Sequence, residues 1–198
     1  MVAGLDLNQR PLGYEHNVAL SEAVFGLLHG VEVAFRNAAH HALTVGYGVP
    51  DWYDRAPLLP YWQTELAGAK RKAGTQPGKV VAKLTFGFWL ELVNRPHNNT
   101  LWVGRGLRLA FPNTLLSRNA IYARLRTVNL RRHRVAHHET IITSSNRLYA
   151  GNNFISLSEV VQCVEWVCPD TAHWLRSQFR YSEAARILAH VHGMNITL

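Results

Sequence analysis

The stretch NVALSEAVFGLLHGVEVAFRNAAHHALTVGYG, residues 17–48, decides the fold. Its apolar residues recur at Leu20, Val24, Leu27, Leu28, Val31, Phe35, Ala38 and Leu43. Spacings of three and four line one face of a long helix. Gly46, Gly48 and Pro50 mark its end. Nothing in the chain shows a convincing strand alternation, so the pattern predicts an all-α bundle.

Working outward, residues 1–16 read as an irregular arm, because Pro11 and Gly13 break regular structure. On the other side, VPDWYDRAPLLP (49–60) reads as a proline-rich connection. Tyr61 to Ala73 predicts a short helix ending in the basic run 70–72, and residues 79–93 one buried apolar helix. LWVGRGLRLAF (101–111) is ambiguous, since two glycines weaken a helix. A second long helix runs from Ser117 to about His138. Its ribs are Ile121, Leu125, Val128, Leu130 and Val135, with arginines crowding the rest. Residues 140–156 read as a polar loop. Ser156 or Ser158 can cap the helix that follows, and Ser156 with Glu159 has capping-box spacing. Two short helices after Pro169 bring the total to about six or seven, in one domain over 17–198 with 143–198 as its C-terminal extension.

A chain of 198 residues, 47% hydrophobic with six tryptophans, buries a real core, which argues against disorder. Cys163 and Cys168 are spaced C-x4-C, neither a disulfide framework nor a metal knuckle, so two reduced thiols are expected. The N-terminus lacks a signal peptide's apolar stretch, and no uncharged apolar run of about 18 residues occurs. A soluble cytoplasmic protein without membrane contact is expected. The formal net charge of +8 favours a polyanionic partner, and nucleic acid is the commonest.

The positive charge concentrates in RRHRVAHHE, 131–139. Arg132 and His137 lie five apart, about 140° around a regular helix. They converge only if the helix ends near Ala136. His133 and His137 have metal-pair spacing, but the residues between are Arg, Val and Ala, and neighbouring arginines oppose a cation. No metal or other cofactor is expected. Phosphodiester chemistry suits these residues better. A guanidinium fork binds phosphate oxygens and stabilises charge growing on phosphorus. A histidine takes a proton from a 2′-hydroxyl or returns one to a leaving 5′-oxygen. The plainer reading is a solvated basic helix face. Upstream, Glu32, Arg36 and Asn37 form a second polar cluster. Glu32 and Arg36 either pair along their helix or sit beside the 132–137 motif and orient it.

Residues 132–139 resemble the R-x4-H signature of HEPN-domain ribonucleases, and more narrowly the R-N-x-x-A-H-H-x block of the Abi-like (abortive infection) family. FGFWLELV (86–93) followed by LWVGRGLRLAFP (101–112) is similar to that family's F-G-x-W, L-W and F-P blocks. EVAFRNAAHHAL (32–43) is similar to its E-x3-R-N helix, and DWYD (51–54) also fits. The blocks stand in family order across most of 14–142. The resemblance implies an HEPN-like helical bundle and a homodimer whose two R-x4-H motifs form one composite site. It implies metal-independent RNA cleavage leaving a 2′,3′-cyclic phosphate or 3′-phosphate, in antiphage defence or as a toxin, with a cognate antitoxin or regulatory partner. Arg132 and His137 take the catalytic places, and His133, Arg134 and His138 support the site or bind RNA. His133 departs from the family's usual Asn, which bears on the orientation of Arg132. The alternative is a non-catalytic RNA-binding or antitoxin-like HEPN module.

Overall fold

The computed structural model describes residues 12–74, 76–97, 100–102, 106–142, 147–150, 153–178 and 180–194. Among these the chain is all-α, with nine helices and one two-stranded hairpin. The first helix, α1 (Leu12–Tyr47), is 36 residues long and forms the spine. Of its expected ribs, all but Ala38 are buried, with Leu20 and Val24 fully enclosed. It begins inside the segment expected to be an irregular arm. Proline is tolerated in a helix's first turn, so Pro11 does not bar a start at Leu12. The rest of that arm, residues 1–11, lies outside the described residues.

After a 3-10 turn at Trp52–Asp54 come α2 (Pro60–Ala73), α3 (Pro77–Lys83) and α4 (Phe86–Leu92). The single helix expected over 79–93 is therefore two. Leu84 and Thr85 are extended, and the Thr85 hydroxyl accepts from Phe88 N, capping α4. Thr85 N and Oγ1 also donate to Glu65 Oε1 at 3.0 and 2.8 Å, which fixes the break to α2. Threonine caps helices well and propagates them poorly. A short α5 (Gly106–Ala110) resolves the second half of the ambiguous 101–111 segment, while residues 103–105 lie outside the described residues.

The second long helix, α6 (Arg118–Ala136), starts at a Ser117 cap and ends where the site hypothesis needs it to end. The 140–156 region is not all loop: β1 (Leu148–Ala150) pairs antiparallel with β2 (Asn153–Ile155), Tyr149 facing Phe154 in register. The chain closes with α7 (Leu157–Glu165), α8 (Pro169–Gln178) and α9 (Tyr181–Met194). Ser156 and Glu159 form the anticipated capping box on α7. Splitting 79–93 and adding α5 accounts for nine helices instead of six or seven.

One hydrophobic cluster runs from Leu20 to Val191. The last three helices all pack on α1, so residues 157–194 complete the core. At Gly30 an added Cβ would meet Leu175 Cδ2 at 2.5 Å, so the glycine lets α8 approach α1 closely. Cys163 and Cys168 are free thiols, and burial pushes Cys163 up to about 12. Over Gly13–Tyr47, α1 is long and apolar enough to cross a membrane by length and composition, with a mean hydropathy of 1.5 in its best stretch. Core helices share that composition, and 44% of the stretch is buried against the rest of the chain.

Candidate active site at the end of helix α6

Helix α6 stops in a Schellman turn. His137 is the C-cap, and His138 follows with φ 57, the left-handed region where glycine is usual. His138 N donates to Val135 O at 3.2 Å and Glu139 N to Arg134 O at 2.8 Å, the paired bonds of that motif. Asn17 of α1 then holds the exit. Its amide accepts from Ile141 N at 2.8 Å and donates to Glu139 O at 3.4 Å. These bonds place His133, His137 and His138 on an exposed helix end.

Arg132 leans toward α1. Its Nε stands 2.6 Å from Glu32 Oε2, with Glu32 only 7% exposed. That oxygen has no aligned hydrogen-bond donor, so the pair is an ionic contact. The second of the two readings of Glu32 matches this geometry: its partner is Arg132, not Arg36. Arg36 instead donates to Asn37 Oδ1 at 3.4 Å, and Asn37 is exposed on the side of α1 that faces α8. Glu32 thus joins the motif, while Asn37 does not.

His133 and His137 stack in parallel, ring centroids 6.3 Å apart. Arg134 turns the other way. It donates to Thr140 O at 2.7 Å, pairs with Glu139 at 3.4 Å and lies over the Tyr149 ring at 5.2 Å. At 100° per residue the order around α6 is Arg132, His133, His137, Arg134, with the histidines near 100° and 140° from Arg132. Two exposed imidazoles therefore sit between two guanidiniums. Arg132 and His137 make no hydrogen bond, ion pair or ring contact with each other among the described residues. Beside them an open cleft of about 660 Å³ runs between α1 and the end of α6. Tyr14, Val18 and Phe25 line it while 40–56% exposed, and Val135, Ala136 and His138 form the opposite wall.

Two structural residues escaped the sequence reading. Asn17 falls on the buried stripe of α1 three residues before Leu20, a polar residue where the period asks for an apolar one. Arg131, expected on the basic outer face, is fully buried. It donates to Thr127 O at 2.9 Å, Leu148 O at 3.3 Å and, closer still, Asn153 O, tying α6 to both strands. Leu130, expected as a rib, is only half-buried, because Arg131 lies nearer the stripe of Val128 and Val135. Burial, then the cations of Arg134 and Arg147, hold the Arg131 guanidinium down to about 10, with Glu159 opposing. It remains charged at neutral pH.

The basic run 70–72 lies on the surface, and the aromatic blocks serve the core. Lys70 pairs with Asp54 and lies over the Tyr53 ring, while Arg71 and Lys72 are exposed. Trp52 meets Trp89 edge-on at 6.1 Å and donates to His40 Nδ1 at 3.0 Å. No group of three or more His, Cys, Asp or Glu among the described residues is arranged to hold a metal ion. No family model, curated protein or solved structure matches the chain.

Proposed function

We propose that the chain is an HEPN-type endoribonuclease of the Abi-like kind, working without metal as a homodimer in antiphage defence or as a toxin. The family reading rests on the ordered motifs. One structural observation carries the chemistry: an exposed His133–His137 pair at a helix end, beside an arginine held by a buried carboxylate. Glu32 engages Arg132 through Nε, and the two terminal nitrogens make no other hydrogen bond among the described residues. That edge is the bidentate fork for a phosphate.

In the reaction the 2′-hydroxyl oxygen attacks phosphorus and the bond to the 5′-oxygen breaks, closing a 2′,3′-cyclic phosphate. Arg132 stabilises the charge on the phosphoryl oxygens. His137 takes the hydroxyl proton or gives one to the leaving oxygen, and the motif of a second copy supplies the complementary group. The cleft edged by Tyr14, Val18 and Phe25 is where the second copy docks, which brings the two helix ends together.

One observation favours the second reading, a non-catalytic RNA-binding or antitoxin-like module. Within one chain Arg132 and His137 share no hydrogen bond, ion pair or ring contact among the described residues, and Arg132 is already paired. Cleavage of labelled RNA in EDTA by the wild type, beside an Arg132→Ala, His137→Ala variant, separates the two. Cleavage lost in the variant supports the nuclease. Equal rates with retained RNA binding support the module, and a need for added divalent metal sinks the metal-free mechanism.

A further inference from the structure

We propose that the β1–β2 hairpin is a stacking platform for unpaired RNA bases, placed to pass the adjoining phosphate to the end of α6. This rests on the ribonuclease reading and names its substrate as single-stranded RNA.

The hairpin presents aromatic surface to solvent beyond what its cross-strand Tyr149–Phe154 pair covers. Phe154 is 41% exposed. Its ring lies 5.7 Å from Tyr149, its cross-strand partner, and the Arg134 guanidinium covers the Tyr149 ring at 5.2 Å. Arg134, Tyr149 and Phe154 thus form a row whose end member is open to solvent. Aromatic rings and guanidinium planes are the groups on which unpaired bases stack, and such stacking tolerates any base. A duplex hides its base faces, so the row selects single strands.

The charge around the row suits a phosphate backbone. Arg134 covers Tyr149, Arg147 bonds Phe154 O, the buried Arg131 bonds Asn153 O, and Arg124 shares Glu159 with Arg147, against Glu139 and Glu159. Four guanidiniums to two carboxylates leave a positive balance. Arg147 is 44% exposed, bonds Phe154 O at 3.4 Å and pairs with Glu159 at 2.9 Å, so a fixed cation stands at the backbone of the same strand. The platform is also rigid. Arg131 ties both strands to α6, and Tyr149 N donates to Ile141 O at 2.8 Å. Preorganisation of this kind lowers the ordering cost of binding.

Position links the row to the chemistry. Arg134 belongs to both: it covers Tyr149, and it follows His137 in the order around α6. A strand that stacks a base on Phe154 and follows the row past Tyr149 reaches Arg134, which adjoins the exposed histidines around α6.

The test uses the full-length protein and a fluorescein-labelled single-stranded 2′-O-methyl oligonucleotide of mixed sequence. Lacking a free 2′-hydroxyl, it is bound without being cut. Its Kd is read by anisotropy for wild type, Phe154→Ala, Phe154→Leu and Phe154→Trp, with circular dichroism confirming each fold. Loss of one stacking partner weakens binding by about 5- to 100-fold. The expected result is that loss in the alanine and leucine variants, near wild-type affinity in the tryptophan variant, and weaker wild-type binding to the matching duplex. Leucine keeps apolar area but has no π face, so wild-type affinity in Phe154→Leu overturns the platform. So does equal wild-type affinity for duplex and single strand. If the wild type cleaves RNA while the Phe154 variants bind normally, only the platform falls. If the wild type binds no RNA at all, the ribonuclease reading falls with it.

Discussion

Removing the Arg132 guanidinium strands a carboxylate. Glu32 is 7% exposed, and its Oε2 has only the ionic contact at 2.6 Å. Breaking a fully buried ion pair from one side costs about 3–5 kcal/mol. Here the Arg132 side chain is 36% exposed, so water reaches the pair and the loss falls to about 1–3 kcal/mol. Glu32→Gln keeps the volume, removes the buried charge and leaves an arginine that can hydrate, so it costs about 1 kcal/mol or less. The double variant, Glu32→Gln with Arg132→Ala, no longer holds a stranded charge. It is expected to lose at least about 1 kcal/mol less than the sum of the singles. Urea unfolding followed by tryptophan fluorescence reads this cycle, because Trp52 and Trp89 are fully buried. With a slope of about 2 kcal/mol per molar urea, Arg132→Ala lowers the midpoint by about 0.5–1.5 M. Glu32→Gln also frees the guanidinium to wander and is expected to lower kcat on RNA about 10- to 100-fold. Additivity within about 0.5 kcal/mol refutes the pairing. An unchanged kcat in Glu32→Gln refutes its role in orienting Arg132.

Three further outcomes are expected. His138→Gly relieves a side chain from the left-handed region and stabilises the fold by about 0.5–1 kcal/mol, raising Tm by about 2–3 °C in a thermal melt. Arg131→Ala leaves Leu148 O and Asn153 O without their donor and opens a cavity, costing about 3–5 kcal/mol, with amide exchange in β1 and β2 accelerating before that in α1. Burial raises the Glu159 carboxyl, but hydrogen bonds from Ser156 and Arg147 and the charge of Arg124 outweigh it and hold it at about 2. Its folded pKa lies below its unfolded one, so its contribution is complete above about pH 4.5 and is lost as pH falls toward 2. That loss is about 2 kcal/mol for a side chain 28% exposed, and an acid titration of stability flattened in Glu159→Gln checks it.

How much of this was legible follows from which signals are local. The stripe of α1 from Leu20 to Leu43 is periodic over more than six turns, and tertiary contact only confirms it. The Ser117 cap and the Ser156–Glu159 capping box are likewise set by side chains within a few residues of one another, and the end of α6 by backbone bonds of equal range. Thr85 carried the same kind of signal, but the apolar run around it hid the break between α3 and α4. The hairpin's strands are three residues each, too short for alternation to show, although Gly151-Asn152 between Leu148-Tyr149-Ala150 and Asn153-Phe154-Ile155 is hairpin chemistry. Spacing alone could not choose between Arg36 and Arg132 as the partner of Glu32. That choice depends on α1 crossing α6 some hundred residues later.

Arg131 and Arg132 show why a basic run cannot be read from charge alone. They are neighbours of one type, yet Arg131 is fully buried and spends its donors on Thr127, Leu148 and Asn153. Arg132 is half-exposed and makes one ionic contact. A step of 100° around α6 separates them, enough to move a guanidinium from the strand side to the α1 side. Composition sees two equal charges for a polyanion. The fold makes the first a strut and leaves the second with only its ionic contact to Glu32. The strut also sets the surroundings of Arg132: by pinning the hairpin to α6 it holds Tyr149 against Arg134 and leaves His133 and His137 as the open face between. Losing Arg131 should therefore loosen the hairpin first and disturb RNA handling through it, while losing Arg132 should act on the phosphate directly. The two neighbours are expected to fail by different routes, one seen in amide exchange and the other in kcat.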